Sequence, residues 1–418
     1  MEKRRLGNSP VDPVSRQGKR AGAGRAFEIT RRELLERSAG LGVAGVFLAV
    51  AAMSRRAQSA SPLKIGCMGP FTGPTSKSGE AIKKGTLMAL DEAREEKEIP
   101  ITIDGEKRDI EIVWIDSQAD PDVAAAAVTD AINNQGVEFL INGWHSSVAM
   151  AVMDSEAPFK IIHIGHLGET QYVAEKINKE PDRYRGWFKG WPSPPILTGL
   201  YGAPLKEFLD SRLWKPANRK AAILAEDTGF GHGWGEALVN SLEKAGLEPL
   251  PYDVTPLAET EFASFLSKYK EQGVSLVAIG MGGNVGVTNF AKQFRSHGLK
   301  ALLIAHGITQ FSGWYDMAGD ASDFVITMDS PAPIAPWQFR WMTRYNLKYG
   351  EAPSLSSSGI PYDYTRLAIK VLNRAGTLDF ETLIKTIYET PYDGVWNRYE
   401  FATEPGPNAL SANEVMTG

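Results

Sequence analysis

The sequence predicts an α/β protein of two lobes, each a parallel sheet flanked by helices, with a cleft between them. Three observations carry this. Apolar runs of strand length alternate with segments of helical period from Leu63 to Phe401, the pattern that builds parallel sheets with right-handed crossovers. The rhythm falls into two blocks, about 62–188 and 194–326, each of single-domain size. Two irregular stretches, 186–195 and 329–336, separate the blocks and then leave the second one. The chain therefore crosses out and returns, which makes a clamshell.

In the first block, strands are predicted over 63–68, 110–115, 137–141 and 160–164. Helices are predicted over 79–96, from Asp120 to about 134, and from about Ser147. Asp120 is a good N-cap and Pro121 suits the first helical turn. The second block follows as helix 196–213, strand 220–225, helix 235–245, strand 248–252, helix 262–272, strand 274–279, helix 284–297, and strands 301–304 and 324–328. Helices over 337–349, 360–375 and 380–389 come next, and a last strand over 394–401. The expected division is a leader over 1–60, a first lobe of 62–190 plus about 329–392, and a second lobe of 191–328 plus about 393–418.

The chain has 418 residues, 43% of them hydrophobic and 23% charged, which fits a globular protein. Residues 1–60 hold 12 basic and 5 acidic side chains, and the remainder holds 33 basic and 45 acidic. An acidic body argues against nucleic acid or an anionic membrane as partner. Cys67 is the single cysteine, so an internal disulfide is excluded. Near the amino terminus stands a twin-arginine pattern, Thr30-Arg31-Arg32-Glu33-Leu34-Leu35. An uncharged run from Ala39 to Met53 and a small-residue site at Ala57-Gln58-Ser59 follow it. This is the order of a Tat signal peptide, and the run is short for a membrane span. Export to the periplasm is expected, with no stable membrane insertion of the mature protein. Residues 1–28 read as a leader extension or a mis-called start.

Ligands of open parallel sheets bind at strand carboxyl ends, so the residues after each strand matter most. The stretch "FLINGWHSSVAM" ends a strand and opens a helix there. His145 beside Ser146 and Ser147 could serve a nucleophile or grip a ligand. Adjacent residues on one loop rarely reach base-to-nucleophile geometry, and no G-x-S-x-G elbow is present. A helix start favours an anion, so grip is the better reading, with a Ser/His hydrolase less favoured. No G-x-x-x-x-G-K-[ST] phosphate loop occurs.

The segments "LKIGCMGPFTGPTSKSGEAIKKGTLMALDEA", "WIDSQADPDVAAAAVTDAINNQGVEFLINGWHSSVAMAV", "AAILAEDTGFGHGWGEAL", "SLVAIG", "AKQFRSHGLKALLIAHG" and "IPYDYTRLAIKVL" resemble, in order, the leucine/isoleucine/valine-type periplasmic solute-binding proteins of ABC importers. The resemblance implies the type I periplasmic-binding clamshell, two Rossmann-like lobes joined by a multi-strand hinge. It implies capture of a small polar organic ligand and its delivery to the permease subunits of an ABC transporter. Neither enzymatic activity nor a cofactor is implied. An extracytoplasmic ligand sensor is the alternative. Family members usually continue past Phe401 with another strand or two, so truncation at Gly418 is a further expectation.

The resemblance also assigns loop residues. Thr72 falls in the family's S/T-G-P turn, and Ser78 where a large side chain often packs on ligand. His145, Ser146 and Ser147 match a loop with paired serines, Ser146 at the usual carboxylate position. His166, Leu167 and Gly168 replace a loop that carries a hydroxyl. Phe230 stands where a tyrosine usually touches ligand, and Gly283 and Asn284 where many members carry an aromatic. His306 lies near the usual acid for an ammonium. With no acid found in the second lobe, leucine is not expected to bind. Of the six histidines, His145, His166 and His306 fall at cleft loops. They and Trp144, with Trp191 and Trp234, suit a planar acid; a metal–ligand chelate stays open, and no protein-bound metal is assigned.

Overall fold

The computed structural model describes residues 61–165, 167, 168, 170–308, 313–327 and 335–416. The leader and signal peptide expected over 1–60, and His166, lie outside the described residues.

The first sheet contains β1 (Leu63–Gly69), β4 (Ile110–Asp116), β5 (Phe139–Asn142), β6 (His163–Gly165) and β7 (Trp187–Lys189), in the order β4-β1-β5-β6-β7. All neighbours are parallel. A hairpin of β2 (Ile101–Ile103) and β3 (Glu106–Arg108) precedes β4 and was not anticipated. Helices α1 (Ser76–Glu95), α2 (Pro121–Asn133), α3 (Ser146–Glu156) and α4 (Gln171–Lys179) make the crossovers. Asp120 caps α2 as anticipated, its carboxylate accepting from the backbone N–H of Asp122 and Val123. Such a cap contributes about 1 kcal/mol.

After α5 (Pro194–Leu197) and α6 (Gly199–Asp210) the second sheet begins. It comprises β8 (Lys220–Glu226), β9 (Glu248–Pro249), β10 (Asp253–Thr255), β11 (Leu276–Gly280), β12 (Leu302–Ala305) and β13 (Val325–Ile326). The main path runs β10-β8-β11-β12-β13, again parallel, with β9 pairing β8. The helices are α7 (Gly229–Lys244), α8 (Ala263–Gln272), α9 (Asn284–His297) and α10 (Trp314–Ala318). In β8, β11 and β5 nearly every residue is buried. These strands have helices on both faces and therefore read as continuous apolar runs.

The chain then returns as α11 (Pro336–Tyr349), α12 (Ile360–Ala375) and α13 (Phe380–Tyr388). Ile360, Tyr364, Leu367 and Leu383 share a core with Leu63, Ile65, Phe139 and Ile164 of the first sheet. Instead of one long final strand there is a short antiparallel hairpin, β14 (Tyr392–Asp393) with β15 (Arg398–Tyr399).

The tail corrects an expectation. The stretch 393–418 was assigned to the second lobe, yet Trp396, Tyr399, Phe401 and Val415 are buried in the first sheet's core. The backbone of Asn413 and Val415 bonds to Lys189 on the edge of β7. The buried Lys189 ammonium donates to Glu414 at 3.2 Å and to the Ser193 hydroxyl at 2.8 Å. Local pattern gave no sign of this pairing, because its partners lie 225 residues apart.

Candidate functional site

A cavity opens between the carboxyl ends of the two sheets. From the first sheet's side come Trp144, His145 and Ser146 after β5, Leu167 after β6, Trp191 after β7, and Ser356 ahead of α12. From the second come Glu226 at the end of β8, Phe230 in α7, Met281 and Gly282 after β11, and His306 after β12.

The turn after β5 is built to aim its residues. Asn142 adopts φ 66° and Gly143 φ 141°, so the chain reverses sharply from strand to helix. The Asn142 side-chain amide donates to Cys67 and Thr86, and the Asn142 backbone carbonyl meets the His163 ring at 2.6 Å. His163 in turn pairs with the buried Glu156 at 2.9 Å. Burial raises the Glu156 carboxyl, although the neighbouring His163 partly offsets this.

His145 occupies the N-cap position of α3 without capping it through its side chain. The first N–H groups of a helix have no partner inside the helix, so this end of α3 presents donors to the cavity. The His145 Nε2 lies 3.4 Å from the Thr75 hydroxyl. Its Nδ1 is buried with no protein partner among the described residues. Burial pushes the ring's pKa down to about 4, so the imidazole is neutral at pH 7. Ser146 Oγ accepts from the Thr170 N–H at 3.3 Å. Among the described residues no carboxylate bonds to His145 in the manner of a triad.

Opposite stands Glu226, which is 1% exposed. One carboxylate oxygen accepts from the Thr228 hydroxyl at 2.8 Å, the other from the Gly282 N–H at 2.6 Å. Gly231 lets α7 close on this strand end, since a Cβ there would fall 1.9 Å from the Glu226 carbonyl oxygen. Glu226 corrects the expectation that the second half of the cleft lacks an acid. Its signal in the sequence is a charged residue ending the apolar run "KAAILAE".

Aromatic side chains form the rest of the wall. Trp191 stacks on Trp396 at 4.7 Å and 18°. Phe230 stacks on His306 at 5.8 Å and 30°. His306 bonds through Nδ1 to the Tyr201 hydroxyl at 2.9 Å. Trp234 lies beneath it at 5.7 Å and is itself fully buried, outside the cavity wall.

Of the residues singled out from the sequence, His145, Ser146, Leu167, Phe230 and His306 meet at the cavity, as do Trp144 and Trp191. Thr72 is held away from it by Asp116, to which its hydroxyl donates at 2.6 Å. Ser78 is buried in the first turn of α1, and Gly168 is buried beside Leu167. Ser147 Oγ accepts from the Gly229 N–H at 2.9 Å, joining the two halves instead of lining the cavity. Gly283 caps α9 and Asn284 begins it, one and two residues beyond the wall residue Gly282. Glu226, Met281, Gly282 and Ser356 were not singled out. Met281 and Gly282 follow a buried strand and were within reach of the strand-end rule. Ser356 sits in a serine run between helices and carries little local signal.

The periplasmic binding protein family matches this chain over residues 62–412. The leucine-, isoleucine-, valine-, threonine- and alanine-binding protein of Pseudomonas aeruginosa is 23% identical over 349 residues, covering 82% of this chain and 88% of that one. Leu/Ile/Val-binding protein homolog 2 of Brucella abortus is 26% identical over 277 residues, covering 66% and 68%. Among solved structures, a leucine binding protein from Thermotoga maritima superposes with a TM-score of 0.68 at 17% identity, covering 81% of this chain and 91% of that one. A solute binding protein from Rhodopseudomonas palustris, in complex with 3,4-dihydroxybenzoic acid, gives 0.69 at 19% identity, covering 85% and 90%. The family match runs through both sheets and through the returning helices that complete the cavity wall, and on that ground the chain belongs to the periplasmic binding protein family.

Proposed function

We propose that this solute-binding protein captures a small amphipathic zwitterion of the amino-acid type and presents it to the permease subunits of an ABC importer. The observation that carries this reading is Glu226, a buried carboxylate in the same cavity as the uncapped start of α3. Held by the Thr228 hydroxyl and the Gly282 N–H, Glu226 sets a negative charge at the cavity wall that favours a cationic group on the ligand. The start of α3, with the neutral His145 ring and Ser146, suits an anionic head group. A ligand with both charges satisfies both walls. Trp144, Leu167, Trp191, Phe230 and Met281 leave an apolar space for its side chain. Export by the twin-arginine leader, to the periplasm where this family works, completes the reading. Its support is the order of Arg31-Arg32, the uncharged run and the small-residue site.

A flat aromatic acid with a hydroxyl donor is the second reading, favoured by the stacked Trp191–Trp396 and Phe230–His306 pairs. Calorimetric titration with leucine, phenylalanine, 4-methylpentanoate and 4-hydroxybenzoate separates the two. The zwitterions bind and 4-methylpentanoate binds at least tenfold more weakly if the first reading holds. Binding of 4-hydroxybenzoate alone would replace the first reading with the second. Fusion of residues 1–60 to a reporter tests export, which the change of Arg31 and Arg32 to lysine should abolish.

A further inference from the structure

Among the described residues, three hydrogen bonds bridge the two halves of the molecule outside the cavity. Ser147, in the first turn of α3, accepts from the Gly229 N–H at the start of α7. On the next turns of α7, the Glu236 carboxylate receives two donors from the start of α4. The Gln171 amide donates to one oxygen at 3.0 Å and the Tyr172 hydroxyl to the other, also at 3.0 Å. Between these contacts the helices approach closely: a Cβ at Gly233 would fall on the Gln171 side-chain oxygen and 3.0 Å from the Thr170 hydroxyl. None of Ser147, Gln171, Tyr172, Gly229 and Glu236 lines the cavity.

We infer that Glu236, with Tyr172 and Gln171, forms a solute-independent clasp that sets how much closed protein exists before solute arrives, and so sets affinity without touching the ligand. This rests on the reading that the cavity opens and closes between the two sheets. The physical argument is one of populations. A ligand that needs the closed form binds with an apparent Kd equal to its intrinsic Kd divided by the closed fraction. Contacts made only on closing, yet absent from the ligand shell, act on that fraction alone. Here both oxygens of one carboxylate are engaged by donors from the opposite side, a charge-assisted arrangement that is stronger than neutral pairing. Burial together with the Glu236 bond raises the Tyr172 phenol to about 12, so it remains a donor throughout the physiological range. Gly233 leaves room for the Gln171 side chain, which a side chain at this position would have to displace from its place beside Glu236.

The test needs no solute. The chain's one cysteine, Cys67, is buried, so spin labels can be placed at Lys179→Cys on α4 and Glu243→Cys on α7. Double electron–electron resonance then reads the distance between the two helices in the ligand-free protein. A short-distance population is expected in the parent. Tyr172→Phe should reduce it by about 2- to 5-fold and Glu236→Ala by about 3- to 10-fold, as the loss of one and of two partly exposed hydrogen bonds predicts. Gly233→Val, which crowds Gln171, should also lower it, while Glu175→Gln, an exposed carboxylate on α4, leaves it unchanged. In titrations with leucine, the Kd should rise by the same factors. A ligand-free parent with no short-distance population, or equal populations in the parent, Tyr172→Phe and Glu236→Ala, would overturn the clasp. Failure of leucine to bind would leave the distance result standing and count against the proposed ligand class alone.

Discussion

Replacing Glu226 with glutamine removes one charge from the cavity and little else. The side chain is buried, with one oxygen on the Gly282 N–H at 2.6 Å and the other on the Thr228 hydroxyl at 2.8 Å. A glutamine amide keeps an oxygen for Gly282, and the threonine hydroxyl can accept as well as donate. The local fold is therefore retained, and the melting temperature should move little. A zwitterionic solute of the proposed kind would lose a charge-assisted bond to its ammonium, worth about 1.5–3 kcal/mol. That corresponds to a roughly 10- to 150-fold rise in Kd. The assay is calorimetric titration of Glu226→Gln and the parent with leucine and with 4-methylpentanoate, which lacks the ammonium. Leucine should lose the full factor. The deaminated acid should bind the variant as well as the parent or better, because the cavity then carries one negative charge fewer. Equal losses for both ligands, or an unchanged leucine Kd, would refute the pairing of Glu226 with an ammonium.

Other perturbations have comparably defined outcomes. His145 is neutral above about pH 4, so its ring contributes no pH dependence to ligand affinity between pH 5 and 8, and a Kd that follows a group near the ordinary histidine value would contradict this. Ser146→Ala should weaken binding by about 1–3 kcal/mol through a lost buried hydrogen bond while far-UV circular dichroism is unchanged. Burial raises the Asp363 carboxyl to about 7 against the hydrogen bonds it accepts from Val395, Trp396 and Tyr399. A raised carboxyl pKa means that the folded state holds the proton more tightly. The stabilisation is fully present below about pH 4 and is lost as pH rises through 7. The melting temperature of the parent should therefore fall relative to that of Asp363→Asn across this window. Lys189→Met leaves the buried Glu414 without its cation and should cost about 3–5 kcal/mol in urea unfolding. The double variant with Glu414→Gln should recover much of that loss.

Local signals were legible where the physics is local. Asp120 and Pro121 announced α2, and the bounds of α9 and α12 follow directly from apolar period and flanking glycines. The short β7 was hidden because three residues amid "RGWFKGWPSPP" carry no periodicity. Its identity as a strand comes from pairing with β6 on one side and the tail on the other. The placement of the tail was invisible for a related reason. Phe401 and Val415 are apolar enough for either core, and only the Phe188 ring at 5.2 Å and the Lys189 pairing select the first. Glu226 was missed because β8 is buried on both faces. Without alternation, the facing of its last residue is fixed by the Gly282 N–H on the neighbouring strand connection, which sequence does not display. Ser147 looked like a ligand residue because adjacent serines at a helix start are equivalent in sequence. In the helix they point about 100° apart, one toward Thr170 and the cavity, the other across to Gly229.

That divergence explains how a single turn of helix can serve two purposes. Ser146 and the neutral His145 line the cavity. Ser147 faces α7, where its contribution appears whenever the halves meet. The second sheet repeats the arrangement: Glu226 and Phe230 face the cavity, whereas Gly229 and Glu236 of the same strand–helix unit face the opposing helices. Cavity-lining residues and residues that bridge the two halves are thus interleaved along two helix starts. A change to the ligand set, such as Glu226→Gln, should alter which solute is held and leave the closed fraction of the empty protein untouched. A change to the clasp should scale the affinity for every solute by one factor. Measuring two solutes against both kinds of variant separates these contributions, because a selectivity ratio that shifts with Glu236→Ala could arise only if the clasp also shaped the cavity.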